Sequence, residues 1–165
     1  MIKIAINGFG RIGRPTFRRI LDNHPNLEIA AIYDLTDPKT LGYLVKYDSV
    51  YGIYQKSIKA AENSLLIDGT EKGKKVLVFA ETDPQKLPWR ELGIDVVLEC
   101  TGNFTDYQGA EKHITAGAKK VIISAPSRPT SPASELAGGR AKSKEVKTYV
   151  LGVNENNYNP AKDEV

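Results

Sequence analysis

The sequence predicts an α/β fold: a doubly wound, mostly parallel sheet with an antiparallel hairpin inserted into it. Two observations carry that prediction. Short apolar runs rich in Ile and Val (IKIAI at 2–6, EIAAIY at 28–33, DVVLE at 95–99) alternate with segments of helical period, the pattern of strands buried on both faces by crossover helices. Between residues 57 and 79 the rhythm changes to two β-rich runs, SLLI and KVLVF, around a turn-forming stretch at 68–73, which reads as a hairpin.

Taken in order, residues 2–6 form the first strand and residues 7–13 the turn out of it. Residues 14–23 place Phe17, Ile20 and Leu21 on one helical stripe, with Arg14, Arg18 and Arg19 off it. Pro15 falls in the first turn, where its missing N–H costs nothing. His24, Pro25 and Asn26 end the helix, and 28–33 return as a second strand. That βαβ unit wants a right-handed crossover. Asp37-Pro38 open a helix through about residue 47, with Leu41, Leu44 and Val45 as its apolar stripe. A short helix is predicted around Trp89, a buried strand at 95–99, a helix at 106–116 with His113 on its solvent side, and a strand at 120–123. From Ser127 to Lys144 the composition turns to Ser, Pro, Ala, Gly and basic residues, long for a loop inside a compact domain. Residues 147–153 (KTYVLGV) read as a last strand.

A chain of 165 residues with 41% hydrophobic and 26% charged content suits one domain with a sizeable core. The net charge is only +3, without the clustered cations that would argue for nucleic acid. One Cys leaves no internal disulfide, in keeping with a reducing cytoplasm, and no metal-ligand spacing occurs. The first residues already read as a strand, so no signal peptide is predicted. No apolar run approaches the roughly 18 residues of a membrane span. A soluble, cytoplasmic protein is expected.

Gly8-Phe9-Gly10-Arg11-Ile12-Gly13 matches G-x-G-x-x-G between a strand and a helix. In such a Rossmann-type unit Gly8 makes the tight turn, Gly10 lets the backbone approach a pyrophosphate, and Gly13 lets helix and strand pack closely. The helix-start amides then hold phosphate oxygens. Asp34 follows about 20 residues on, at the end of the second strand, where a carboxylate accepts from both adenosine-ribose hydroxyls and repels a 2′-phosphate. That favours NAD over NADP, although Asp34 also suits a cap for the turn before Asp37. Thr101, Gly102 and Ser124 follow the carboxyl ends of further strands, as cofactor contacts or as ordinary turn residues. Arg11 reads either as a pyrophosphate partner or as a solvated helix-start residue. The whole chain, 1–165, is thus predicted to be one dinucleotide-binding domain with a flexible insertion at 127–146.

Several segments carry a resemblance: INGFGRIGR (6–14), DLTDPKTLGYLVKYDSVYG (34–52), FAETDPQKLPW (79–89), ECTGNFTD (99–106), AGAKKVIISAP (116–126) and LGVNENNY (151–158). In this order they closely resemble the start of the glyceraldehyde-3-phosphate dehydrogenases. The resemblance implies a tetrameric glycolytic enzyme that oxidises an aldehyde, phosphorylates the product and passes the hydride to NAD. By position it puts Gly8, Gly10, Arg11, Ile12, Gly13 and Asp34 on the NAD, and Thr101, Gly102 and Ser124 along the nicotinamide half. Tyr33 and Thr82 depart from the Asn and Arg that the family often has toward the adenine.

In that family the nucleophile is a Cys in a Ser-x-Cys-Thr-Thr-Asn segment, followed by an activating His and by Arg and Thr residues that hold phosphates. None of these lies in the 165 residues, so no catalytic residue is assigned. Cys100 ends a buried strand and reads as inert; His24 reads as a helix-end residue. The expectation is the cofactor half of such an enzyme, inactive alone and partnered by a catalytic half, with a homo-oligomer in the complete enzyme. A stand-alone NAD-binding module and the cofactor half of a related sugar-phosphate dehydrogenase, such as the erythrose-4-phosphate enzymes, are the alternatives.

Overall fold

The computed structural model describes residues 1–68, 73–128 and 146–165. The chain runs β1 (Ile2–Asn7), α1 (Gly13–Asn23), β2 (Leu27–Tyr33), α2 (Pro38–Lys46), β3 (Tyr47–Asp48), β4 (Gly52–Ile53), β5 (Ile58–Ala61), β6 (Ser64–Ile67), β7 (Lys75–Phe79), α3 (Trp89–Leu92), β8 (Val96–Glu99), α4 (Tyr107–Thr115) and β9 (Lys120–Ile123). Seven strands form one sheet in the order β5-β6-β7-β2-β1-β8-β9, and β3 pairs with β4 apart from it. β7, β2, β1, β8 and β9 run parallel, while β5 and β6 add antiparallel strands at one edge. The expected mostly parallel α/β sheet is therefore what the chain forms, and the predicted hairpin is β6 with β7. It is the inner part of a three-strand antiparallel extension, because β5 pairs on the far side of β6.

The sheet buries both faces. Ile4, Ile6, Phe17, Ile20, Ile32 and Leu41 form the core on the α1 and α2 side. Ala5, Ala31, Tyr33, Trp89, Val97 and Ala110 form the core opposite. An irregularity in the β1–β2 pairing makes this possible: Ile4 faces Ile29, but Ala5 faces Ala31. The extra residue, Ala30, shifts the pleat by one, so Ile29 and Ala31 serve opposite cores despite their period-two spacing. Burying one Phe or Ile side chain contributes about 1.5–3 kcal/mol, so both faces stabilise the sheet.

Arg18, expected off the apolar stripe of α1, is buried. Its guanidinium donates to the Val45 carbonyl (2.9 and 2.6 Å) and to the Gly52 carbonyl (3.1 Å), and it stands 5.1 Å from the Tyr54 ring centroid. The last carbonyls of α2 lack intrahelical donors, and a cation there also meets the negative end of the helix dipole. The tertiary contact thus draws in a residue whose helical position pointed to solvent.

The predicted strand at 147–153 is not formed; residues 146–150 are irregular and 151–154 form turns. Asp163 organises the segment instead, accepting from Lys147 Nζ (2.6 Å), Tyr149 Oη (2.6 Å) and the Asn159 amide (2.7 Å). These donors hold its carboxyl well below the usual carboxylate range, the Lys147 ammonium first among them. The Val121 amide donates to the Glu164 carbonyl (2.8 Å), so this late residue meets the edge of β9. The predicted insertion at 127–146 lies almost wholly outside the described residues. Among the described residues, no helix is long and apolar enough to cross a membrane.

Candidate functional site

The carboxyl ends of β1, β2, β8 and β9 all open on one edge of the sheet. The chain leaves β1 for β2 on one side and later returns to β8 on the other. That reversal of direction beside β1 is where open α/β sheets form their ligand crevice.

The glycine turn follows β1. Gly8 has φ +90°, and a Cβ there would stand 2.7 Å from both the Thr101 amide nitrogen and its Cγ2. Conformation and space therefore both demand glycine. A Cβ on Gly13 would stand 2.2 Å from the Gly8 carbonyl oxygen, so the close packing of α1 on β1 also demands glycine. Gly10 is different: it is exposed, and nothing lies within 4 Å of where its Cβ would be. Its lack of a side chain leaves open space in front of the backbone at the start of α1. In the first turn of that helix the Arg14 amide donates to the Gly10 carbonyl (3.1 Å) and the Thr16 amide to the Ile12 carbonyl (3.2 Å), and Pro15 has no N–H, which leaves the Gly13 amide without a backbone partner among the described residues. Arg11 and Ile12 are exposed beside it.

The turn is pinned from several directions. The Gly8 amide donates to the Tyr33 carbonyl (2.9 Å). Phe9 is buried, edge-on to Phe17 at 5.2 Å, and its carbonyl accepts from Arg14 Nη1 (2.9 Å). Its amide donates to Asp34 Oδ2 (2.9 Å), while Asp34 Oδ1 accepts from the Thr36 amide (3.0 Å). Asp34 is thus both the cap of its own turn and a tie to the glycine turn. A carboxylate has about four acceptor positions, so each oxygen keeps one for a further donor.

Across the crevice, Thr101 lies against Gly8, and Gly102 turns with φ +74°. Ser124 follows β9, its amide donating to the Glu99 carbonyl (3.0 Å). The fold therefore brings Gly8, Asp34 and Thr101 together around the turn, with Gly10, Arg11 and Ile12 exposed at its rim. Tyr33, one of the two departures toward the adenine, turns its ring into the second core, where burial raises its hydroxyl pKa. Thr82, the other, is exposed.

Beneath the crevice lies a cluster that sequence reasoning missed. Glu99 is buried and gathers four donors: Asn7 Nδ2 and His113 Nε2 (3.2 Å) on one oxygen, the Thr101 amide (2.7 Å) and hydroxyl on the other. Four donors fill its acceptor capacity. His113, expected on the solvent side of α4, is completely buried. Its Nδ1 accepts from the Trp89 indole N–H (3.1 Å). An indole only donates, so Nδ1 carries no proton and Nε2–H must be the donor to Glu99. The signal was a carboxylate at the end of an apolar strand, which demands buried donors. Asn7 Oδ1 is buried without a partner among the described residues, a spare acceptor next to Gly8.

Cys100 is half-buried, and burial pushes its thiol up, opposite to what a nucleophile needs. The native chain is expected to resist iodoacetamide at pH 7 and to label readily in urea; rapid native labelling would contradict this environment. Among the described residues no three His, Cys, Asp or Glu side chains converge as metal ligands.

A glycine turn with open space at a helix start, a pinned carboxylate and a spare buried acceptor fit a dinucleotide. Comparison with known proteins agrees. Residues 2–107 match the family model described as glyceraldehyde 3-phosphate dehydrogenase, NAD binding domain. The chain is 60% identical over 126 residues to the glyceraldehyde-3-phosphate dehydrogenase of Clostridium pasteurianum, covering 76% of this chain and 36% of that protein. Against the Mycoplasma pneumoniae enzyme the identity is 50%, covering 93% and 40%. Against the Thermotoga maritima enzyme it is 47%, covering 97% and 43%. The chain thus spans about two fifths of the length of these relatives, and it belongs to the NAD-binding domain family of the glyceraldehyde-3-phosphate dehydrogenases.

Proposed function

We propose that Gly8, Gly10, Arg11, Ile12, Gly13 and Asp34 hold NAD by its adenosine and pyrophosphate, with Thr101, Gly102 and Ser124 along its nicotinamide half. The chain then serves as the cofactor half of a phosphorylating glyceraldehyde-3-phosphate dehydrogenase working in the cytoplasm. NAD supplies the hydride acceptor for aldehyde oxidation. This chain's residues bind and orient. The Gly10 backbone and the Gly13 amide at the start of α1 meet the pyrophosphate, and Asp34 accepts from the ribose hydroxyls through the positions its backbone partners leave open. We place the covalent chemistry in the part of the relatives' length that this chain does not match, on a catalytic half joined with it in a homo-oligomer. By that reading the 165 residues alone turn over no aldehyde.

The observation that carries this reading is Asp34, fixed at 2.9 Å from the Phe9 amide at the mouth of the crevice. Its test is NADH titration by fluorescence. Asp34→Ala is expected to weaken NADH roughly a hundredfold, as loss of charged hydrogen bonds to two hydroxyls implies, and to remove the preference over NADPH. Equal NADH affinity in both proteins would overturn the assignment.

A further inference from the structure

We propose that Glu99 is a positioning residue for the dinucleotide site, a buried carboxylate that sets the glycine turn against the Thr101 turn across the crevice. This rests on the reading of that crevice as the NAD site. Its two oxygens divide the work. One accepts from Asn7, the residue that leads into Gly8; the other accepts from the amide and hydroxyl of Thr101, the residue that packs against Gly8. One rigid group therefore spans the two strand ends between which the dinucleotide must thread. It touches neither solvent nor ligand: Glu99 is 1% exposed.

What keeps the carboxylate in place lies further back. Trp89 donates to His113 Nδ1, which commits the imidazole to donate through Nε2 to Glu99. The Asn7 amide is oriented by the same logic, since turning it over would set its oxygen against a carboxylate oxygen. The chain Trp89–His113–Glu99 thus runs from the second core to the underside of the crevice, every donor having one acceptor.

Glu99→Gln tests the idea with almost no change of shape. In either amide orientation one NH2 faces fixed donors: His113 Nε2–H on one side, the Thr101 amide on the other. Binding of NADH and of 5′-AMP, thermal stability and exchange of the Thr101 amide proton are measured on the 165-residue chain. The expected result is an NADH affinity lower by about tenfold, the scale of one hydrogen bond to a charged group. Binding of 5′-AMP, which needs the Asp34 side, stays unchanged, and the Thr101 amide exchanges faster. Wild-type affinity for NADH in Glu99→Gln overturns the proposal. So does a parallel loss of both ligands in step with melting temperature, the mark of a purely structural role. If Asp34→Ala leaves NADH binding intact, the underlying reading has failed, a result distinct from either. Should Glu99→Gln not fold, Trp89→Phe, which removes the donor that commits His113 Nε2–H to Glu99, carries the test: about threefold weaker NADH with unchanged 5′-AMP is expected, and unchanged NADH overturns it.

Discussion

Gly13→Ala is expected to unseat α1 and to abolish dinucleotide binding with it. Helix propensity alone points the other way, since Ala in place of Gly favours a helix by up to about 1 kcal/mol. Space decides the sign. The new Cβ would stand 2.2 Å from the Gly8 carbonyl oxygen and 3.1 Å from Ile6 Cγ2. The first is backbone in a turn that is itself at φ +90°, so it cannot swing aside as a side chain would. The helix must lift from β1, at a cost of about 3 kcal/mol. Gly10→Ala is the internal control, because its Cβ would meet nothing within 4 Å. It should melt like the wild type and yet bind NADH more weakly, the methyl group filling the approach to the pyrophosphate. Thermal denaturation and NADH titration of the two variants separate the roles. A stable, NADH-binding Gly13→Ala would refute this packing.

His113→Ala carries the second large effect. A histidine on the solvent side of α4 would cost under about 0.5 kcal/mol to replace. Buried as it is, its loss leaves a cavity, an indole N–H with no acceptor and a carboxylate short of one donor. Together these amount to about 3–5 kcal/mol, a large share of the 5–15 kcal/mol typical of a domain. For a chain of this size the melting temperature should fall by roughly 10 °C. A change of only a degree or two in calorimetry would place His113 back at the surface.

These two residues mark what each level of description determines. Gly13 was legible in the sequence, because the turn after a buried strand and the helix that follows it impose their demands within a few neighbouring residues. So were the period of the strands, the ends of α1 and α2, the β6–β7 hairpin and the place of Asp34. Each is a local pattern whose cause, steric or periodic, acts over one turn or one pleat. His113, Arg18 and Glu99 were not legible in that way. On a helical wheel His113 and Arg18 are polar residues beside an apolar stripe, and nothing local says that Trp89 or the end of α2 will come to meet them. Their burial depends on partners 24 and 27 residues away in the chain.

The same holds for the bulge at Ala30 and for the segment 146–165, where a strand-like run yields to the donors around Asp163. An apolar run forms a strand only where an edge is left to pair with. The sequence by itself determined the α/β class, the glycine turn, the acid that completes it and the family. Only the tertiary structure decided how that turn is held from beneath. Burying a charged group is costly unless it is hydrogen-bonded, and the donors to Glu99 converge through the packing of β1, β8, α3 and α4.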